Sequence, residues 1–209
     1  MSKAVVFFAE GTEECEALLV VDLLRRAKVD VTVASASGSR EILSSHKIRI
    51  TADALAEEVD YSDVDLVVLP GGIPGTPNLA ANKTVTDTCT AFAKSGKKVA
   101  AICAAPSVLA SLGLNVPAAM AGASMPSIGL EQLLAVNPAW LLVAHYREES
   151  IVKRWQQDPL WQMLTAAQKQ QVASVDSNTW ARMRGIFAAE RIAADTVKIF
   201  HHQPLTVVK

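Results

Sequence analysis

Four short runs in the first half of the chain are apolar on both faces: AVVFFA (4–9), VDVTVASA (29–36), DLVVLPGG (65–72) and KVAAIC (98–103). Strands of this kind lie in the middle of a parallel sheet, where helices cover both sides. Helical patterns fall between them. Residues 13–27, EECEALLVVDLLRRA, place acids in the first turn and Arg25 and Arg26 in the last, matching the helix dipole, with Thr12 as the expected cap. Residues 78–95 read as one further helix ended by Gly96, and 41–52, EILSSHKIRITA, as an excursion outside the main sheet.

The second half repeats the rhythm. SIGLEQLLAV (127–136) is helical, WLLVAHY (140–146) is a strand, 150–164 is a helix that Pro159 should break, VASVD (172–176) is a strand and 183–200 a long final helix. Strand and helix alternate from end to end, which predicts an α/β fold with a doubly wound, mainly parallel sheet, a flavodoxin-like or Rossmann-like three-layer sandwich. Ligands bind such sheets at the carboxyl edge, where strand order reverses.

Composition divides the chain where the pattern does not. Residues 1–106 contain no Gln and no Trp, whereas 107–209 hold eight Gln and all four Trp, at 140, 155, 161 and 180. The switch falls inside an expected helix and carries no Pro/Gly/Ser-rich linker, so 1–106 and 107–209 read as two fragments of one domain, 1–209. A net charge of -1 with both signs interspersed makes a nucleic-acid partner unexpected. No apolar run approaches the roughly 20 residues of a membrane span, and the N-terminus lacks a cleavable signal pattern, so a soluble, cytoplasmic protein is expected. Three cysteines without CxxC spacing suggest neither a disulfide framework nor a metal site, and no cofactor motif stands out.

Candidate chemistry gathers at the expected carboxyl edge. In KVAAICAAP, Cys103 closes a strand and a helix starts at once, a position where helix N–H groups favour the thiolate. Glu16 lies in the first turn of the first helix at the same edge, where a carboxyl beside a thiolate would share a proton with it. Gly71 and Gly72, in LPGGIPG, offer backbone N–H groups to an oxyanion. Blander roles suit the remainder: Cys15 and Cys89 as packing residues, His201 and His202 as a solvated helix end, and Arg147, Glu148, Glu149 and Lys153 as a charged loop and helix start. Of the four Trp, Trp180 is the one expected to face a ligand cleft.

AEGTEECEA, VVLPGGIPG and VAAICAAP together resemble the ThiJ/PfpI superfamily, in its deglycase and glyoxalase-like branch, from residue 3 to about 112. The resemblance implies a flavodoxin-like fold, Cys103 as nucleophile on the elbow and Glu16 as its carboxyl partner. Gly72 and Ala104, with Gly71 beside them, would supply oxyanion-hole amides. Small aldehydes such as methylglyoxal would be the substrates and a homodimer the assembly. The family's His about twenty residues beyond the nucleophile has no counterpart in AGASMPSIGLEQLL (121–134). His145, at the end of WLLVAHY, is the candidate replacement.

From Ser107 onward the chain is similar to the C-terminal lobe of the iron(III) dicitrate periplasmic-binding protein, of the siderophore-binding class. The stretches that carry this run from SVLASLGLNVPAAM to WLLVAHY, then LWQMLTAAQKQQVASVDSNTW and FAAERIAADTVKIF. The two resemblances together imply an engineered chimera, a scaffold testing fragment recombination with no selected function. The alternatives are a residual cysteine-dependent hydrolase or lyase acting on small aldehydes, and a weak anion or ferric-chelate binder.

Overall fold

The computed structural model describes residues 2–114, 128–145, 150–181 and 186–201. They fall into two compact units, Met1–Ser127 and Ile128–Lys209.

The first unit is built on a parallel sheet of β1 (Lys3–Phe8), β2 (Asp30–Ser35), β5 (Ala54–Leu55), β6 (Leu66–Leu69) and β7 (Lys98–Ala101), in the order β5-β2-β1-β6-β7. Successive side chains of a strand point to opposite faces. In β1 and the residue after it, Val5, Phe7 and Ala9 enter one core cluster and Ala4, Val6 and Phe8 the other. Both faces are therefore dry, which is why the strand reads as an unbroken apolar run. β7 differs from the expected central strand: it is a sheet edge among the described residues, and its four positions are exposed or half-buried. The strand order reverses between β1 and β6, so the loops after these two strands meet at the carboxyl edge.

Helix α1 (Glu14–Arg26) keeps its acids first and arginines last, but its cap is Glu13 rather than Thr12. Glu13 Oε2 accepts the Glu16 N–H at 2.7 Å, while the Thr12 hydroxyl accepts the Ala9 N–H at 2.9 Å and holds the preceding turn. The expected single helix over 78–95 is two, α2 (Gly75–Ala81) and α3 (Lys83–Ser95). Asn82 separates them with extended backbone, and its side chain accepts the Val85 N–H to cap α3. Gly96 ends α3 at φ 76, as its position after the periodic run implied. The excursion at 41–52 is an antiparallel pair, β3 (Glu41–Leu43) with β4 (Arg49–Thr51), apart from the main sheet. The compositional switch falls at the start of α4 (Pro106–Ser111), inside the first unit.

The second unit holds α5 (Leu130–Val136), β8 (Leu141–His145), α6 (Ile151–Trp155), α7 (Thr165–Gln168), β9 (Val172–Asp176), α8 (Ser177–Ala181) and α9 (Ile186–His201). Pro159 breaks the helix as expected: α6 stops at Trp155 and a 3-10 turn runs Pro159–Met163. β8 and β9 are parallel and, among the described residues, form a two-stranded sheet of their own. Leu130, Leu133, Trp161 and Leu164 make the core of this unit. The expected charged loop at Arg147, Glu148 and Glu149 lies outside the described residues, as does His202, while Lys153 is exposed. Among the described residues no helix is long and apolar enough to cross a membrane.

Candidate functional site

Cys103 follows β7 by two residues and precedes α4 by three, and it holds φ 59. A non-glycine residue rarely adopts that left-handed conformation, and it persists where surrounding structure enforces it. The enforcement is visible on both sides. Ile102 N–H still pairs with the Leu69 carbonyl at 3.1 Å, extending the sheet, and Ala105 N–H returns to the Ile102 carbonyl at 3.0 Å. The chain must turn between those two bonds, which projects Cys103 outward, and the residue is exposed.

Gly71 is where the other site groups converge. A Cβ placed on it would stand 2.5 Å from Glu16 Oε2, 2.8 Å from Cys103 Cβ and 3.2 Å from the Ala104 nitrogen. The absence of a side chain at residue 71 is thus what lets the carboxylate, the cysteine and the Ala104 amide meet. Its own N–H donates to Glu16 Oε2 at 3.0 Å, so this amide orients the carboxylate and has a partner other than a substrate oxygen. Gly72 turns at φ 102, with Glu13 N–H donating to the Gly71 carbonyl at 3.0 Å and Gly75 N–H to the Gly11 carbonyl at 3.1 Å. The two loops after β1 and β6 are laced together by these backbone bonds.

Sequence reading missed the groups that hold α1 in place. Glu13 and Glu14 are both more than nine-tenths buried. Glu14 Oε1 meets His46 Nδ1 at 2.7 Å, and its other oxygen accepts from the Ser45 hydroxyl at 3.2 Å, tying the β3–β4 turn to the helix. Burial pushes the Glu14 carboxyl up, but hydrogen bonds from its own N–H and from the 44–46 turn outweigh it and hold the group at about 2. The ligating atoms of Glu13, Glu14 and His46 lie within 4.8 Å of one another, making this trio the group of three that could hold a cation among the described residues. The doubled acid in EECE was the available signal.

The remaining candidates are placed as follows. His145 ends β8 in the second unit, where its carbonyl accepts the Ser177 hydroxyl, and β8 pairs with β9 while β7 pairs with β6. Cys89 is buried, and burial pushes its thiol up to about 12, in line with a packing role. Cys15 is exposed, contrary to the expected packing role, because it occupies the outer side of the first turn of α1. Trp180 is half-buried and donates to Asp195 Oδ2 at 3.0 Å. His201 is exposed at the end of α9.

The first unit has relatives among known proteins. Residues 2–132 match the model of the DJ-1/PfpI family. The chain belongs to that family. It is 40% identical over 115 residues to Protein dj-1beta of Drosophila melanogaster, covering 54% of this chain and 62% of that protein. It is 38% identical over 105 residues to Protein DJ-1 homolog B of Arabidopsis thaliana, covering 50% of this chain and 24% of that one. The matched part of the chain thus spans between about a quarter and three fifths of these relatives' lengths. Among solved structures, oxidized Toxoplasma gondii DJ-1 is similar with a TM-score of 0.53 and 34% identity, over 54% of this chain and 62% of that one. The crystal structure of Drosophila melanogaster DJ-1beta is similar with a TM-score of 0.57 and 27% identity, over 95% of this chain and 90% of that one.

Proposed function

We propose that the first unit carries a cysteine-dependent activity on small aldehydes such as methylglyoxal or their adducts. One observation carries this reading: Glu16, Cys103 and the Ala104 amide approach one point beside Gly71, at an exposed cysteine with a left-handed backbone. In this reading the Cys103 sulfur adds to the aldehyde carbon, and the carbonyl electron pair moves onto oxygen beside the Ala104 and Gly72 N–H groups. Glu16, aligned by Gly71, takes the thiol proton and returns it to that oxygen, giving a hemithioacetal. His46, the histidine of the first unit, is engaged by Glu14, so the later proton transfers need water or Glu16.

The test is iodoacetamide alkylation of Cys103 from pH 4 to 9, beside methylglyoxal consumption, with Cys103→Ser as control. The reading expects an alkylation midpoint below the roughly 8.5 of an ordinary thiol and consumption that Cys103→Ser abolishes. A midpoint near 8.5 with no consumption would overturn it.

A second reading has its own support. The family match ends at residue 132, and the composition switches at 106–107. The composition switch is what supports a chimera of a DJ-1/PfpI-like half with a periplasmic-binding-protein-like lobe, serving as a scaffold without selected chemistry, whereas the family match runs past that switch. An inert Cys103 together with no stabilisation by ferric citrate is the outcome that reading expects.

A further inference from the structure

The second unit contains a cleft of about 430 Å³ between β9 and α9, within the size range of small-molecule sites. One wall is Trp140, set edge-on to Phe200 with ring centroids 4.5 Å apart, together with Val172. The other is a single face of α9: Arg191, Asp195 and Lys198, at i, i+4 and i+7.

The charges on that face are not equally satisfied. Asp195 Oδ2 accepts from the Trp180 indole at 3.0 Å. Across the cleft, Asp176 Oδ2 accepts the Thr179 N–H at 2.8 Å and the Thr179 hydroxyl. Arg191 and Lys198 are exposed, and among the described residues neither forms a salt bridge. The carboxylates of the cleft are served by protein donors, and the Arg191 charge also acts on Asp176, while among the described residues Arg191 and Lys198 are in no salt bridge and stand open to a guest. They stand two helical turns, roughly 10 Å, apart on the helix, with the engaged Asp195 between them.

We propose that this cleft binds a flat organic dianion, an elongated aromatic dicarboxylate with one carboxylate on Arg191 and the other on Lys198. Its uncharged middle lies over Asp195 and against Trp140. Arg191 suits a carboxylate because the guanidinium donates in a planar fork, and Lys198 supplies a point charge at the far end. A compact anion cannot reach both cations and meets Asp176 or Asp195 instead.

The probe is naphthalene-2,6-dicarboxylate, titrated calorimetrically into the full chain, with naphthalene-2-carboxylate and inorganic phosphate as comparisons. Saturable one-to-one binding of the diacid is expected, about tenfold or more tighter than the monoacid, that is about 1.4 kcal/mol or more. Arg191→Met and Lys198→Met should each reduce the diacid to the level of the monoacid. Cys103→Ser should leave it unchanged, which separates this cleft from the first unit's chemistry. Both cations are exposed, so the substitutions leave the fold intact, and unchanged Trp emission of the variants checks this. Undiminished diacid binding in the Arg191→Met/Lys198→Met double variant, phosphate binding as tightly as the diacid, or no saturable heat would each overturn the proposal.

Discussion

The two units bury their sheets differently. In the first, β1 is sealed on both faces, and Val6, Phe7 and Phe8 are wholly inaccessible. In the second, β8 has no buried position and β9 only Val175. Phe187, near the start of α9, is 82% exposed. The lesson is that strand and helix alternation alone does not make a core: five parallel strands leave two faces for helices to close, whereas a pair of strands leaves most of its surface at an edge. The strained Cys103 elbow lies on the better-packed unit, whose interior is rigid enough to hold it.

The largest test of this contrast is Phe7→Ala, expected to cost about 3–5 kcal/mol, because the ring is enclosed and the site cannot collapse around the void. Urea unfolding followed by alkylation of Cys89, which shares the Phe7 cluster, reads this directly. Leu164→Ala, in the second unit's core, is expected to cost about 2–4 kcal/mol, read by emission of the four Trp, all of which lie in that unit. A greater loss for Leu164→Ala than for Phe7→Ala would break the comparison.

Gly71→Ala is expected to cost about 1–3 kcal/mol through the overlap with Glu16 and Cys103, and to alter the alkylation rate of Cys103 far more than that of Cys15. Equal changes at the two thiols would show that the glycine does not shape the site.

Glu14→Gln should cost about 2 kcal/mol by replacing a charged acceptor. The folded Glu14 carboxyl sits near 2 against an ordinary 4.5, so it contributes stability above about pH 4.5, and that contribution is lost as pH falls from 4.5 toward 2. In the variant this part of the pH dependence should flatten, measured by urea midpoints between pH 2 and 6. Smallest of all, Phe187→Ala should change stability by about 0.5 kcal/mol or less, since the ring is already in water.

Much of the architecture was legible because it follows local rules. The apolar runs located β1, β2, β6, β7, β8 and β9 to within a few residues, and the break at Pro159 followed from its missing N–H. Errors arose where two side chains competed for one task. Thr12 and Glu13 both suit a helix cap, and only the fold shows that Thr12 is engaged with Ala9. Asn82 interrupts a continuous helical pattern because its side chain caps better than its backbone propagates. At the site, Cys103, Glu16 and the glycines could be named from the motifs, but the role of the Gly71 N–H could not. The pairing of Glu14 with His46 was also invisible, since it joins residues 32 positions apart.

By itself, then, the sequence determined the alternation of elements, the two-sided burial of β1 and β6, and which residue types crowd the carboxyl edge, because these depend on side-chain period and backbone chemistry. Tertiary structure decided the strand order, the parallel pairing of β8 with β9 and the partner of each donor. Those outcomes depend on which distant groups meet, and a hydrogen-bond donor given to one acceptor is withdrawn from all others.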